Sequence, residues 1–204
     1  MSSRVYHDVL LPSEIDKILE FYQSQQDANT EQWIVNKNLE YHIPDNFIYK
    51  LLNSKITALL GEHEFATGAY KECLKPYPVH VDTYEAHDGL GTVTNFATQK
   101  LHNLAMLIPL VEGPEFKTVT FKLYRKKNDF YPIPQEWLTK ETNSLDISEF
   151  DHDGLAEFFP RMPLDIEYTW KLGDILCWDR NQVHVSANFA CHGLIKKFLI
   201  LFIA

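Results

Sequence analysis

The sequence carries, between residues 78 and 83, the stretch Pro78-Val79-His80-Val81-Asp82-Thr83. Its β-branched residues alternate with His80 and Asp82, a pattern that is typical of a β-strand. Because side chains two apart on a strand share a face, the imidazole and the carboxylate are expected to project together. They would supply two ligands of the two-histidine, one-carboxylate set that binds non-haem Fe(II) and leaves other coordination positions open. A His-x-Asp pair alone is weak evidence in a chain with nine histidines, so the prediction depends on a further histidine.

A second stretch, residues 170–184, contains the candidate third ligand. Gly173-Asp174 predicts a turn into a strand, and His184 follows at the start of the next strand. In this order the chain resembles the Fe(II)/2-oxoglutarate-dependent oxygenases. The pattern of that family is His-x-Asp, a Gly-Asp turn and strand, a distal histidine, and a basic residue on the final strand. The residues that match this pattern are His80, Asp82, Gly173-Asp174, His184 and Lys196-Lys197, and the resemblance covers residues 65–204.

The resemblance implies a double-stranded β-helix in which His80, Asp82 and His184 bind Fe(II). The family's reaction uses O₂ to oxidise a bound substrate and converts the co-substrate 2-oxoglutarate to succinate and CO₂. Asp82 stands where related halogenases have a small residue, so hydroxylation or a similar oxidation is implied. The remote carboxylate of 2-oxoglutarate needs a buried cation, and the chain offers Lys196 or Lys197 where the family usually has arginine. Neighbours on a strand face opposite ways, so only one points inward. Apolar residues on the face of Lys197 favour that residue, although Lys196 shares its face with a comparable set.

Five further residues are candidates for contacts in the same site. By the resemblance, Asn103, Thr118 and Thr120 are placed on strands near the co-substrate, where an amide or a hydroxyl would contact it. The alternative for each is an ordinary strand residue. Arg180 and Asn188 flank the strand of the distal histidine and are candidates for substrate contact, with turn and strand hydrogen bonding as the equal alternative.

The pattern of elements predicts a single domain over residues 1–204. Residues 1–64 predict a mostly helical lead-in, and residues 65–204 predict a jelly-roll core of many short strands. A long insertion, residues 125–163, is rich in Asp, Asn, Pro and charge and is typical of a lid or substrate loop. The segment 85–98 predicts a loop that shapes the pocket with it. The expected fold is mainly β with flanking helices: a cupin-like jelly roll, or double-stranded β-helix, with an N-terminal helical layer.

Composition narrows the class of partner. The net charge of −9 argues against broad binding to nucleic-acid phosphates or anionic lipid, so a small molecule, an amino acid or a peptide is the expected substrate. The main basic cluster predicts a solvated face and consists of Lys122, Arg125, Lys126 and Lys127. Three cysteines without a Cys-x-x-Cys motif, no secretory signal and no apolar run long enough for a membrane span predict a cytoplasmic protein.

Two other functions fit the same residues. A cupin-like metal-binding module without oxygenase activity would take up metal and release no succinate from 2-oxoglutarate. A different metalloenzyme on the same roll, such as an isomerase or a dioxygenase that uses no co-substrate, would be indifferent to replacement of Lys196 and Lys197. The ordered set of motifs favours the oxygenase over both.

Overall fold

The computed structural model describes residues 2–27, 32–35, 38–42, 47–82, 104–124, 139–150 and 156–203. Within these ranges, three short 3₁₀-helices lie at Ile147–Phe150, Ala156–Arg161 and Phe189–His192. The helices and strands follow one another as β1 (Arg4–Tyr6), α1 (Pro12–Asp27), β2 (Gln32–Val35), β3 (Asn38–His42), α2 (Phe47–Leu60), β4 (Phe65–Cys73), β5 (Leu104–Pro109), β6 (Lys117–Tyr124), β7 (Leu164–Thr169), β8 (Ile175–Asp179), β9 (Gln182–Ser186) and β10 (Lys196–Ile203).

The described strands form two sheets in which every pairing is antiparallel. The larger sheet has the order β1-β8-β5-β10-β4-β3-β2, and the smaller has the order β7-β6-β9. β10 is central in the larger sheet, because Phe198 lies opposite Lys71 of β4 on one side and Pro109 of β5 on the other. His80 forms a single bridge to His184, so the residues from His80 to Asp82 lie along the side of β9 that β6 leaves open.

Apolar packing explains the order of the layers. Ile18 of α1 and Ile56 of α2 belong to a core cluster with Leu199, so the helices cover one face of the larger sheet. Phe198 points to the opposite face, where it shares a second cluster with Trp170 between the two sheets. The layers are therefore helices, a large sheet and a small sheet. This confirms the predicted mainly β jelly roll with flanking helices and an N-terminal helical layer.

The N-terminal region has the two helices that the sequence predicts and also three strands that it does not. β3 pairs with β4, and β2 with β3, which extends the larger sheet at one edge. β1 pairs with β8 at the opposite edge. These strands contain only three to five residues each, too few for a period of two to stand out in the sequence. Neither α1 nor α2, the α-helices of the described residues, is long and apolar enough to cross a membrane.

The segment predicted as a strand around His80 is shorter than expected. In its described part only His80 forms a bridge, and Asp82 adds one further main-chain hydrogen bond. Pro78 has no N–H group to donate, which limits regular pairing at this point. Residues 83 and 84, like the predicted loop 85–98, lie outside the described residues.

Several apolar residues in the described part of the 125–163 insertion are packed in the core. Phe150 and Phe159 are fully buried and form a cluster with Val119 and Val185, on the face of the smaller sheet that points away from the larger one. This face therefore has its own apolar cover. Residues 125–138 and 151–155 of the insertion lie outside the described residues, so its predicted role as a lid remains a prediction.

The predicted Gly-Asp turn before β8 fastens the N-terminal segment to the core. Gly173 has a φ of 89°, and a Cβ atom there would lie 2.8 Å from the carbonyl oxygen of Leu10. Its own carbonyl accepts hydrogen bonds from the N–H groups of Val9 and Leu10. The buried Asp174 carboxylate accepts a bond from the N–H of Asp8 at 3.0 Å. Glycine is thus required both by the backbone conformation and by the close approach of another chain segment.

Candidate metal centre

The structure brings His80, Asp82 and His184 together beside β9. The N–H of His80 donates to the carbonyl of His184 at 3.0 Å, and the N–H of His184 donates to the carbonyl of His80 at 2.9 Å. The two histidines are therefore a cross-strand pair, and their ring centroids lie 4.2 Å apart. Asp82, two residues beyond His80, is held by its N–H, which donates to the carbonyl of Arg180 at 2.9 Å.

The donor atoms of the three side chains surround one point. Nε2 of His80 lies 3.9 Å from Oδ1 of Asp82, and Nε2 of His184 lies 3.6 Å from Oδ2. All candidate ligand atoms lie within 4.8 Å of one another. In each ring the other nitrogen, Nδ1, pairs with a main-chain carbonyl: that of Pro78 at 2.6 Å for His80 and that of Gln182 at 3.0 Å for His184. Donation from Nδ1 fixes the tautomer that leaves the Nε2 lone pair for a metal.

Two residues near the end of β8 hold Asp82 in place. The indole N–H of Trp178 donates to Oδ2 of Asp82 at 2.9 Å. The guanidinium of Arg180 donates from Nη2 to the main-chain carbonyl of Asp82 at 2.9 Å and lies 4.5 Å from the ring centroid of Phe202. A carboxylate whose second oxygen is hydrogen-bonded in this way is oriented before a metal arrives.

The electrostatics of the site favour the ligating form of His80. Burial, and after it the neighbouring His184, lower the pKa of His80 to about 4, while Asp82 and the bond with Pro78 oppose this shift. The ammonium of Lys71 acts in the lowering direction as well. Because a metal binds the neutral imidazole, the ring needs no deprotonation at neutral pH before it can ligate.

A cavity between the two sheets opens onto these ligands. We define its exposed end by the partly exposed residues Lys71, Tyr77 and His80, and its buried end by Thr118, Ser186 and Lys196. The remaining wall is mostly apolar and includes Leu107, Trp178, Val185, Phe198, Ile200 and Phe202. A concave, largely apolar site with a few convergent polar groups is the usual form of a small-molecule site.

Solved structures with a similar fold include 2-oxoglutarate-dependent enzymes. The 2-oxoglutarate (alpha-ketoglutarate)-dependent epimerase SnoN from nogalamycin biosynthesis matches at a TM-score of 0.60 and 15% identity, over 99% of this chain and 78% of its own. A prolyl-4-hydroxylase of Pseudomonas putida matches at 0.52 and 11%, over 99% and 91%. A 2-oxoglutarate–Fe(II) oxygenase of Burkholderia pseudomallei matches at 0.55 and 9%, over 100% and 84%. The chain has the fold of the Fe(II)/2-oxoglutarate-dependent oxygenases.

The likeness to these oxygenases lies in the structure. No protein-family model matches the sequence, and no curated protein matches it. The chain is therefore connected to the oxygenases by its fold and by the order in which the matching motifs occur along its sequence.

Within this oxygenase fold the two candidate lysines lie on opposite faces of β10. Lys196 is 3% exposed, and its ammonium donates to the Ser186 hydroxyl at 2.6 Å and lies 4.1 Å from the ring centroid of Trp170. Lys197 points away from the cavity and pairs with Glu72 at 3.0 Å. The structure thus places Lys196 in the cavity and the favoured Lys197 on the opposite face of the strand, while the contact of either lysine with 2-oxoglutarate stays a prediction.

The other candidates for co-substrate contact are placed differently from one another. Thr118 lines the buried end of the cavity, and its hydroxyl accepts the indole N–H of Trp170 at 2.9 Å. Thr120 is buried and exchanges a hydrogen bond of 2.7 Å with the hydroxyl of Ser3. Asn103 lies outside the described residues. Of the three, Thr118 is the one that the described structure brings to the cavity of the oxygenase fold.

The two candidates for substrate contact have main-chain partners. Arg180 donates to the main-chain carbonyl of Asp82, so its observed contact holds a candidate metal ligand in place. Asn188 precedes the turn Phe189–His192, and its N–H donates to the carbonyl of Glu149 at 2.7 Å. Trp178 is a contributor that the sequence analysis missed, because its indole donates to the carboxylate of Asp82. The available signal was general: a buried indole N–H needs an acceptor.

Proposed function

We propose that this chain is an Fe(II)- and 2-oxoglutarate-dependent oxygenase that oxidises a small molecule or a peptide. The observation that carries the proposal is the meeting of His80, Asp82 and His184, at most 104 residues apart along the chain, around one point in the cavity of this fold. A ligand set of two imidazoles and one carboxylate with open positions suits non-haem Fe(II).

The residues of the chain have separable roles in this proposal. His80, Asp82 and His184 would hold the ferrous ion, and Trp178 and Arg180 keep Asp82 oriented. When bound, Fe(II) with 2-oxoglutarate supplies the activation of O₂ and the oxidative decarboxylation of the co-substrate to succinate and CO₂.

Lys196 is the proposed partner of the remote carboxylate of 2-oxoglutarate. Its ammonium lies at the buried end of the cavity, where an ion pair is screened little by water. Ser186 already contacts this ammonium and places a hydroxyl beside it. SnoN, which has a similar fold, has been solved in complex with Fe³⁺, alpha-ketoglutarate and nogalamycin RO, so this kind of fold can hold a metal and the co-substrate together.

The substrate class follows from the cavity and from the charge of the chain. The mostly apolar wall suits an organic molecule or a side chain of a peptide, and the acidic composition disfavours nucleic acid. Neighbours of the same fold include an epimerase and a prolyl-4-hydroxylase. We propose hydroxylation or a similar oxidation for this chain because Asp82 provides a carboxylate at the position where related halogenases have a small residue.

The proposal is tested by an anaerobic titration with Fe(II) followed by 2-oxoglutarate. We expect the wild type to develop a weak visible charge-transfer band, and His184→Ala to develop none. His192→Ala is the matched control, because this histidine is exposed in the turn after β9 and is not one of the three ligands. A wild type without the band, or a His184→Ala variant that retains it, contradicts the proposed function.

A further inference from the structure

The exposed end of the cavity holds a second lysine that the proposed function leaves unused. Lys71 lies on the inner face of β4, and its Nζ atom is 3.5 Å from the hydroxyl of Tyr77 and 5.2 Å from the centroid of that ring. Tyr77 in turn lies 5.6 Å, between ring centroids, from the ligand His80. The pair therefore stands next to the metal centre.

Lys71 and Lys196 belong to different ends of the cavity. Lys196 lies opposite Cys73 of β4, and Lys71 lies opposite Phe198 of β10, so the two lysines are diagonal neighbours on one face of the larger sheet. Their ammonium groups have different partners: the Ser186 hydroxyl for Lys196, and Tyr77 for Lys71. Lys196 is buried, whereas Lys71 is partly exposed, as an entering molecule requires.

We propose that Lys71 and Tyr77 bind a carboxylate of the substrate, and that the substrate is an organic acid with an apolar body. This inference rests on the proposed function, because the metal and 2-oxoglutarate define the remainder of the cavity. The apolar body would pack on the wall formed by Leu107, Ile200 and Phe202.

The chemistry of the pair suits one carboxylate. An ammonium and a phenolic hydroxyl 3.5 Å apart present two donors to neighbouring oxygens, and an ionised acceptor makes both bonds stronger than neutral ones. The aromatic ring beside the ammonium reduces its contact with water, and this strengthens the attraction between the ammonium and an anion. The neutral amide of the same acid would offer one oxygen and no charge, so it would bind less well.

The test uses the protein loaded with Mn(II) and 2-oxoglutarate and two matched probes, 3-phenylpropionate and 3-phenylpropanamide. The paramagnetic relaxation of the ring protons, followed by NMR during a titration, reports both affinity and proximity to the metal. We expect the acid to bind the wild type at least about tenfold more tightly than the amide. Lys71→Met should remove this preference, and Lys71→Arg should retain most of it, since a charged hydrogen bond accounts for about a tenfold difference or more.

Lys197→Met is the control, because that lysine lies on the opposite face of the sheet and pairs with Glu72. The control should keep the acid preference, and Lys71→Met should keep the wild-type affinity for 2-oxoglutarate. The inference is overturned if the acid fails to bind or binds no better than the amide. It is also overturned if the preference survives in Lys71→Met, or if that variant loses 2-oxoglutarate. A wild type that takes up Mn(II) but no 2-oxoglutarate overturns the proposed function itself, and the substrate site with it.

Discussion

Lys196 shows how burial changes the chemistry of a single side chain. Three aromatic rings surround its ammonium: Trp170 at 4.1 Å, and Phe189 and Phe198 at 5.8 Å from each ring centroid. Burial lowers the pKa of Lys196 to about 7, and Cys73 on the facing strand opposes this shift. Lys196 is therefore only partly charged at neutral pH before 2-oxoglutarate binds, although the remote carboxylate of 2-oxoglutarate needs the ammonium form.

This environment predicts that 2-oxoglutarate binding takes up a proton. Above pH 7 the lysine of the empty site is mostly neutral, so binding of the carboxylate must recharge it. Affinity should then weaken as pH rises, by up to about tenfold per pH unit. Titration calorimetry of the Mn(II)-loaded protein at pH 8, in buffers of different ionisation enthalpy, should give an uptake that approaches one proton. Lys196→Arg, which stays charged, should abolish it. Wild-type binding without proton uptake contradicts the assignment.

At the scale of an element, β10 explains why the sequence left two lysines open. Leu199 and Leu201 pack in the cluster with the helices, and Phe198 and Ile200 pack in the cluster between the sheets. A strand that is covered on both faces has no polar face, so its sequence does not show which face points to which layer. The alternation of side chains along β10 thus predicts that the two lysines point to opposite faces. Which of them enters the cavity depends on which face packs against the helices and which faces the smaller sheet.

Among the described residues of the candidate metal centre, the stretch from His80 to Asp82 is the least regular in its main-chain pairing. It has one bridge to β9, at His80, and it depends on the Arg180 guanidinium for a further bond to the Asp82 carbonyl. Two of the proposed metal ligands, His80 and Asp82, therefore lie on a stretch that has few main-chain hydrogen bonds in its described part. In the described residues, the Arg180 side chain holds Asp82 where a regular strand would be held by successive main-chain hydrogen bonds.

Loss of the Arg180 guanidinium should weaken the metal site and leave the fold intact. In Arg180→Met the side chain can still pack on Phe202, but it cannot donate to the Asp82 carbonyl. A hydrogen bond from a charged group contributes about 1.5–3 kcal/mol, so we expect Mn(II) affinity to fall about tenfold or more. Calorimetry measures the affinity and circular dichroism checks the fold. Arg4→Met, at an exposed position of β1, is the control. Unchanged Mn(II) affinity in Arg180→Met would show that the segment holds its place without the arginine.

At the scale of the whole molecule, local patterns predicted most strands and long-range contacts supplied the rest. The His-x-Asp spacing and the distal histidine predicted the three residues that the structure brings together, His80, Asp82 and His184, and their role as metal ligands stays a prediction. The bond from Trp178 to Asp82 joins residues 96 positions apart, and no local pattern encodes it. The short β1 likewise pairs with β8, near the other end of the chain, so no local pattern predicts this pairing.

The proposed metal site depends on the whole fold, because both sheets contribute to it. His184 belongs to the smaller sheet, and Trp178, which orients Asp82, belongs to the larger sheet. A metal that needs this meeting binds the folded chain and not the unfolded one, so binding must add to the free energy of unfolding. The stability of the domain should therefore report on the site without any knowledge of the substrate.

Mn(II) should raise the melting temperature of the wild type. At a metal concentration of 100 times Kd the linkage contributes about 2.7 kcal/mol. For a chain of this size each kcal/mol corresponds to about 2–4 °C, so we expect a rise of about 5–10 °C in a thermal melt against an EDTA reference. His184→Ala should lose most of this rise, while His192→Ala should keep it. Equal rises in wild type and His184→Ala would mean that the ion stabilises the fold from another position, and the three-ligand centre would no longer explain metal binding.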